Sequence, residues 1–147
     1  MAGNSSPIVP AIPYSATASL AAVSACATRA QIPTASIATN NLVQLTATST
    51  NGLRIDTLTV QACSSSITAT TAAQLVQLWM WDGTNANLIQ EFQVTASAGS
   101  TTSPAFTLFT VLYPLTVPPA NKLYVSTTVA TTSSTTALQV NIQGGSY

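Results

Sequence analysis

The sequence predicts an all-β protein, an antiparallel two-sheet sandwich, and two observations carry that expectation. Only 4% of the 147 residues are charged, against roughly 25% in an ordinary globular chain. The polar surface must therefore come from Thr, Ser, Asn and Gln, and β-branched Thr suits strands better than helices. From residue 41 onward, short apolar runs alternate with clusters of turn residues, which is the pattern of a sandwich or barrel.

Residues 1–39 form the first unit. Pro7, Pro10, Pro13 and Pro33 interrupt short apolar groups such as Ile8-Val9, Ile12 and Tyr14. Proline cannot donate to a sheet ladder and holds its predecessor extended. An extended Pro-rich N-terminal arm is expected, with an edge strand over residues 19–27. A helix over residues 17–27 is the alternative, diluted by Ser and Thr.

Residues 40–147 form the second unit, with about seven strands separated by turn signals. Residues 42–49 come first and stop at Asn51-Gly52. In residues 53–63 the apolar positions Leu53 and Ile55 change parity to Leu58 and Val60, which predicts a bulge near Asp56. Residues 74–81 hold Leu75, Val76, Leu78, Trp79, Met80 and Trp81, so this strand should be covered on both faces. Asp82-Gly83 then opens a short loop, and Leu88, Phe92 and Val94 keep period two, making residues 74–95 a β-hairpin. A strand over 105–113 bears Phe106, Leu108, Phe109 and Val111, with Pro114, Pro118 and Pro119 ending it. Leu123, Val125, Thr127 and Val129 alternate with Lys122, Tyr124, Ser126 and Thr128, predicting one buried and one wetter face. Leu138, Val140 and Ile142 repeat the alternation. A jelly roll is the leading topology. An immunoglobulin-like sandwich is second, because Cys63 precedes Trp79 with no cysteine after it.

Charge bounds the partners. Arg29, Arg54 and Lys122 are scattered and cannot neutralise a useful number of phosphates, which argues against nucleic acid. No run approaches the roughly 18–20 apolar residues of a membrane helix. A formal net charge of zero leaves little repulsion between copies and favours self-association. Cys26 and Cys63 fit no metal pattern and are expected as buried free thiols. Val23-Ser24-Ala25-Cys26 resembles a lipoprotein cleavage box, but no Lys or Arg precedes Arg29 to supply a basic n-region, so an uncleaved chain is expected.

The chemistry is sparse. Without histidine the chain lacks the commonest general base, the serine–histidine triad and the commonest zinc ligand. Asp82 and Glu91 could approach across the hairpin as a carboxylate pair, but Asp before Gly is turn chemistry and Glu91 reads as a solvated charge. Lys122 and Ser126 stand too far apart along a strand to act as base and nucleophile. Acids are too dispersed for calcium, and Gly144-Gly145 lacks the lysine and helix of a phosphate loop. Neither catalytic residues, a cofactor nor a metal site is expected, and the chain reads as a non-enzyme. Trp79 and Trp81 share a face with Leu75; a sugar platform is one reading and a packed core the simpler one. The Ser/Thr-rich loops at 64–71, 97–103 and 130–136 are either glycan-facing tips or plain connections.

The run Leu78-Trp79-Met80-Trp81-Asp82-Gly83-Thr84 and the ending Val140-Asn141-Ile142-Gln143-Gly144-Gly145-Ser146-Tyr147 resemble small jelly-roll decoration proteins of tailed bacteriophage virions. The resemblance covers roughly residues 53–147. It implies a cement subunit, assembled in the host cytoplasm, on the outer capsid surface. Its partners would be the major capsid protein and itself, as a homotrimer, and it would bridge capsomers. The arm residues Ile8, Val9, Ile12 and Tyr14 are the expected partner contacts. The alternative is a carbohydrate- or receptor-binding sandwich of a head fibre or tail, using Trp79, Trp81 or Tyr147. A lipoprotein anchored through Cys26 is a third candidate.

Overall fold

The computed structural model describes residues 12–134 and 136–147, apart from the side chains of residues 107–109 and 111–113. Eleven strands follow in chain order: β1 (Ile12–Leu20), β2 (Ile32–Pro33), β3 (Val43–Gln44), β4 (Leu53–Ala62), β5 (Thr70–Thr71), β6 (Gln74–Trp81), β7 (Asn85–Val94), β8 (Ser97–Ala98), β9 (Thr107–Val117), β10 (Lys122–Thr127) and β11 (Leu138–Ser146). A 3-10 turn at Thr34–Ser36 is the only helical element among the described residues. The fold is all-β, as the Thr-rich composition predicts, and every strand pair is antiparallel.

One sheet runs β1-β11-β4-β9, a second β2-β7-β6-β10-β3, and a small third joins β5 to β8. The first two enclose the main core. Ala18 and Leu20 of β1, Leu58 and Val60 of β4, and Leu138, Val140 and Ile142 of β11 meet Val76 and Leu78 of β6, Phe92 and Val94 of β7, and Leu123 and Val125 of β10. Each fully buried Leu, Ile or Val contributes about 1.5–3 kcal/mol relative to exposure.

The parity change in β4 is a real irregularity. Ile55 and Thr57 are consecutive partners of β11, so Asp56 bulges out and Leu53, Ile55, Leu58 and Val60 all face the core. Gly144 lies opposite the bulge, and a Cβ there would overlap the Arg54 carbonyl oxygen. The terminal Gly-Gly is thus a packing feature: only a residue without a side chain lets β11 approach a bulged neighbour this closely.

Several sequence expectations are corrected. From Ile12 on, the supposed arm belongs to the sandwich: β1 pairs with β11 along its whole length, Ile12 opposite Ser146 and Leu20 opposite Leu138. Its edge strand lies earlier than residues 19–27, and no helix covers 17–27. The apolar residues of the region after β1 are used to cover a sheet. Residues 42–49 form a strand only at Val43–Gln44; the next residues stay tied to β10 through Leu45 N and Thr46 N, both donating to Leu123 O, and through Thr46 Oγ1, which accepts from Leu123 N at 2.9 Å. The strand expected over 105–113 runs on through Pro114 to Val117. Its register against β4 jumps from Val111 to Leu115, so Pro114 sits in an irregular stretch of an edge strand where its missing N–H is tolerated. Leu108, Phe109 and Val111 have side chains outside the described residues. In β7 a second irregularity, Leu78 opposite Gln90 and then Trp79 opposite Leu88, leaves Ile89 unpaired. Leu88 therefore joins Trp79 on the outer face instead of keeping phase with Phe92 and Val94.

Candidate functional site

Two places collect the side chains singled out by the sequence. The first is the outer face of the second sheet. Residues 21–42 cross this face, and Cys26, Ile32 and Leu42 bury Trp79 and Ala86 in a second, smaller core, with Trp81, Leu88 and Tyr124 at its margin. The crossing segment is anchored at Cys26 N, which donates to Thr127 O at 2.7 Å, and at Thr34 N, which donates to Thr84 O at 2.9 Å, and Asn41 Nδ2 ties its two ends together by donating to Ala25 O at 3.0 Å.

Polar groups inside this layer form a chain. Trp79 Nε1 donates to Ser126 Oγ at 2.9 Å, which donates to Gln77 Oε1 at 2.9 Å. Gln77 Nε2 donates in turn to Glu91 Oε1 at 3.1 Å and to Thr28 O at 3.2 Å. Arg29 Nε closes the chain on both Glu91 oxygens, at 2.9 and 3.0 Å. Gln77 is 1% exposed, and every link in this sequence of donors has an acceptor, as a buried polar group requires. The Arg29 guanidinium, followed by the Gln77 amide, holds the Glu91 carboxyl below its ordinary range. Glu91 is thus a partly exposed strut held by two donors and not the freely solvated charge the sequence suggests. Ser126, expected on the wetter face of β10, is fully buried for the same reason.

Trp79 is 0% exposed, so it offers no stacking surface. Trp81 lies at the margin, its Nε1 donating to Thr34 Oγ1 at 2.8 Å and its ring covered by Lys122 Nζ at 5.1 Å from the centroid, a cation–π contact.

The remaining charges are also occupied. Asp82 Oδ1 accepts from the backbone N–H groups of Thr84 and Asn85 at 2.9 and 2.8 Å, which holds its carboxyl below the ordinary value and shapes the β6–β7 turn. Arg54 Nε donates to Asp56 Oδ1 at 2.6 Å across the β4 bulge. Asp82 and Glu91 are therefore engaged with different groups and form no carboxylate pair. Lys122 and Ser126 likewise point to different partners. No group of three potential metal ligands occurs among the described residues, and no helix there is long and apolar enough to cross a membrane.

The second place is the end of the sandwich where the Ser/Thr-rich loops meet. Strands β5 and β8 tie loop 64–71 to loop 97–103, Gly99 N donates to Ala69 O at 2.9 Å, and Ser65 N reaches Ser133 O of the third loop at 3.1 Å. A Cβ on Gly99 would fall 2.6 Å from the Ile67 carbonyl oxygen, so this glycine sets how closely the two loops meet. Between them lies a cleft of about 490 Å³. The sequence named the loops but could not show that they converge, since convergence depends on strand order.

The expected partner contacts divide. Ile8 and Val9 lie outside the described residues. Ile12 is 64% exposed at the start of β1, whereas Tyr14 packs half-buried against the main core. Tyr147 is half-buried, and its N–H donates to Gly52 O at 3.3 Å. Both cysteines are free thiols, Cys26 buried and Cys63 partly exposed; burial pushes the Cys63 thiol pKa up.

The chain matches no protein-family model, no curated protein and no solved structure. Function has to be argued from the molecule itself.

Proposed function

We propose that this chain is a structural, non-enzymatic subunit of a tailed-phage virion, a decoration or cement protein seated on the outside of the capsid shell. The observation that carries the reading is the fate of its six charged side chains. Two ion pairs, one turn and one cation–π contact use all of them. What is left to meet a partner is a surface of hydroxyls, amides and apolar groups, Ile12 and Ile67 among the most exposed, on which the remaining charges stand mostly in neutralised pairs. Such a surface carries no long-range repulsion between copies and suits close packing in a repetitive shell.

The strand order supports the finer topology as well. Leaving aside the short β2, β5 and β8, the chain visits the first sheet with β1, the second with β3, the first with β4, the second with β6 and β7, then the first with β9, the second with β10 and the first with β11. We assign this arrangement, β1-β11-β4-β9 over β3-β10-β6-β7, as a jelly roll, two interlocked Greek keys. Fold alone does not fix function, but it agrees with the resemblance in the β6–β7 hairpin and the C-terminal strand. Covering of Trp79 further favours a packing role over a tryptophan sugar platform.

The test compares the full chain with a chain lacking residues 1–11, which leaves β1 whole. Oligomer mass is read by light scattering, and both chains are offered to capsid shells stripped of the protein. The full chain should form trimers and rebind. Loss of rebinding in the shortened chain would give the N-terminal residues the contact role. A monomer without affinity for shells would overturn the reading.

A further inference from the structure

The hydroxyl-rich cleft at the loop end is a concave part of the surface left to meet a partner. We propose that it binds a neutral carbohydrate. The lining mixes apolar side chains, Ile67 and Phe106, with hydroxyls, among them Ser66, Thr101 and Thr102. Ile67 is 66% exposed, so its aliphatic surface is open to a ligand in the cleft. A pyranose has the same mixed character, C–H faces for apolar contacts and a rim of hydroxyls for polar ones.

Charge selects within the ligand class. None of the six charged residues lines the cleft, so nothing there would offset the desolvation of a sulfate, phosphate or carboxylate. At about 490 Å³ the cleft is within the usual range of small-molecule sites, about 300–1,000 Å³, and would take a short oligosaccharide end. Loop spacing is set by Gly99, which makes it a positioning residue for both walls.

This inference does not rest on the virion reading, because the cleft would bind sugar on a free chain as on a shell. The experiment is ligand-observed NMR and calorimetry on the full-length chain with a panel of neutral oligosaccharides built from glucose, galactose, mannose and N-acetylglucosamine. Sulfated dextran and polygalacturonate serve as charged controls. At least one neutral series should bind and both controls should fail. Ile67→Ser and Thr101→Val, each at the cleft surface, should weaken that binding about tenfold, while unchanged Trp79 fluorescence reports that the sandwich is intact. Absence of binding across the neutral panel, binding of the charged controls alone, or binding that neither variant weakens would overturn the proposal.

Discussion

The two faces of β6 look out on different kinds of interior. Inward, Val76 and Leu78 enter a predominantly apolar core spanning both large sheets, with Gln74 and Thr127 buried in phase with the apolar residues of their strands. Outward, Gln77 and Trp79 enter a small layer closed by residues 21–42 and threaded by hydrogen bonds from Trp79 to Arg29. The first is stabilised mainly by buried area, and the few polar atoms it holds, the Gln74 amide and Thr127 Oγ1, have no hydrogen-bond partner among the described residues. The second buries less and depends on each donor finding its acceptor, since a half-satisfied network is worse than none. One strand thus faces two interiors of different make-up, and the thinner outer layer is expected to open before the main core.

That contrast can be broken from the inside first. Leu58→Ala or Ile142→Ala should cost about 2–5 kcal/mol, seen in urea unfolding as a cooperative loss of the whole domain. Gly144→Ala comes next, at about 1–3 kcal/mol, because the new methyl group meets the Arg54 backbone at the β4 bulge; its effect should concentrate on protection of β4 and β11 amides.

Gln77→Leu sharpens the comparison on the other side. It removes the acceptor of Ser126 and the donor of Glu91 and Thr28, at about 1–3 kcal/mol. Hydrogen exchange should show residues 26–32 losing protection while the β4 and β11 amides keep theirs; simultaneous loss would mean the two interiors are one cooperative unit.

The smallest effect is electrostatic. Glu91 has a folded pKa below its unfolded one, so its contribution is fully present above the unfolded value, about 4.3, and is lost as pH falls through the folded value. Trp79 emission should therefore respond to acid before global unfolding. Glu91→Gln should remove that response while changing stability at neutral pH by less than about 1 kcal/mol, the scale of a solvent-accessible pair.

Much of the fold was legible in the sequence because period-two alternation and turn residues are local signals. The β6–β7 hairpin, the bulge at Asp56 and the alternation of Leu138, Val140 and Ile142 all follow from neighbours along the chain. What escaped the sequence depends on distant partners. Residues 12–39 read as an arm because prolines and small residues look unstructured when the sheet they cover is not in view. Ser126 and Glu91 read as wet because the groups that engage them lie 49 and 62 positions away, Gln77 on the neighbouring strand β6 and Arg29 in the covering segment. For the loop-end cleft, composition named the loops, but only the pairing of Thr70–Thr71 with Ser97–Ala98 brings them together.

Cys26 gives this architecture a clock. Cys26 belongs to the segment that covers Trp79 and is buried between that segment and the sheet, and a thiol reacts only where a reagent can reach it. Alkylation of Cys26 would therefore proceed at the pace at which that segment lifts away, so a mass-spectrometric time course on the unaltered chain would count openings of the outer layer one molecule at a time, with the partly exposed Cys63 as its internal reference.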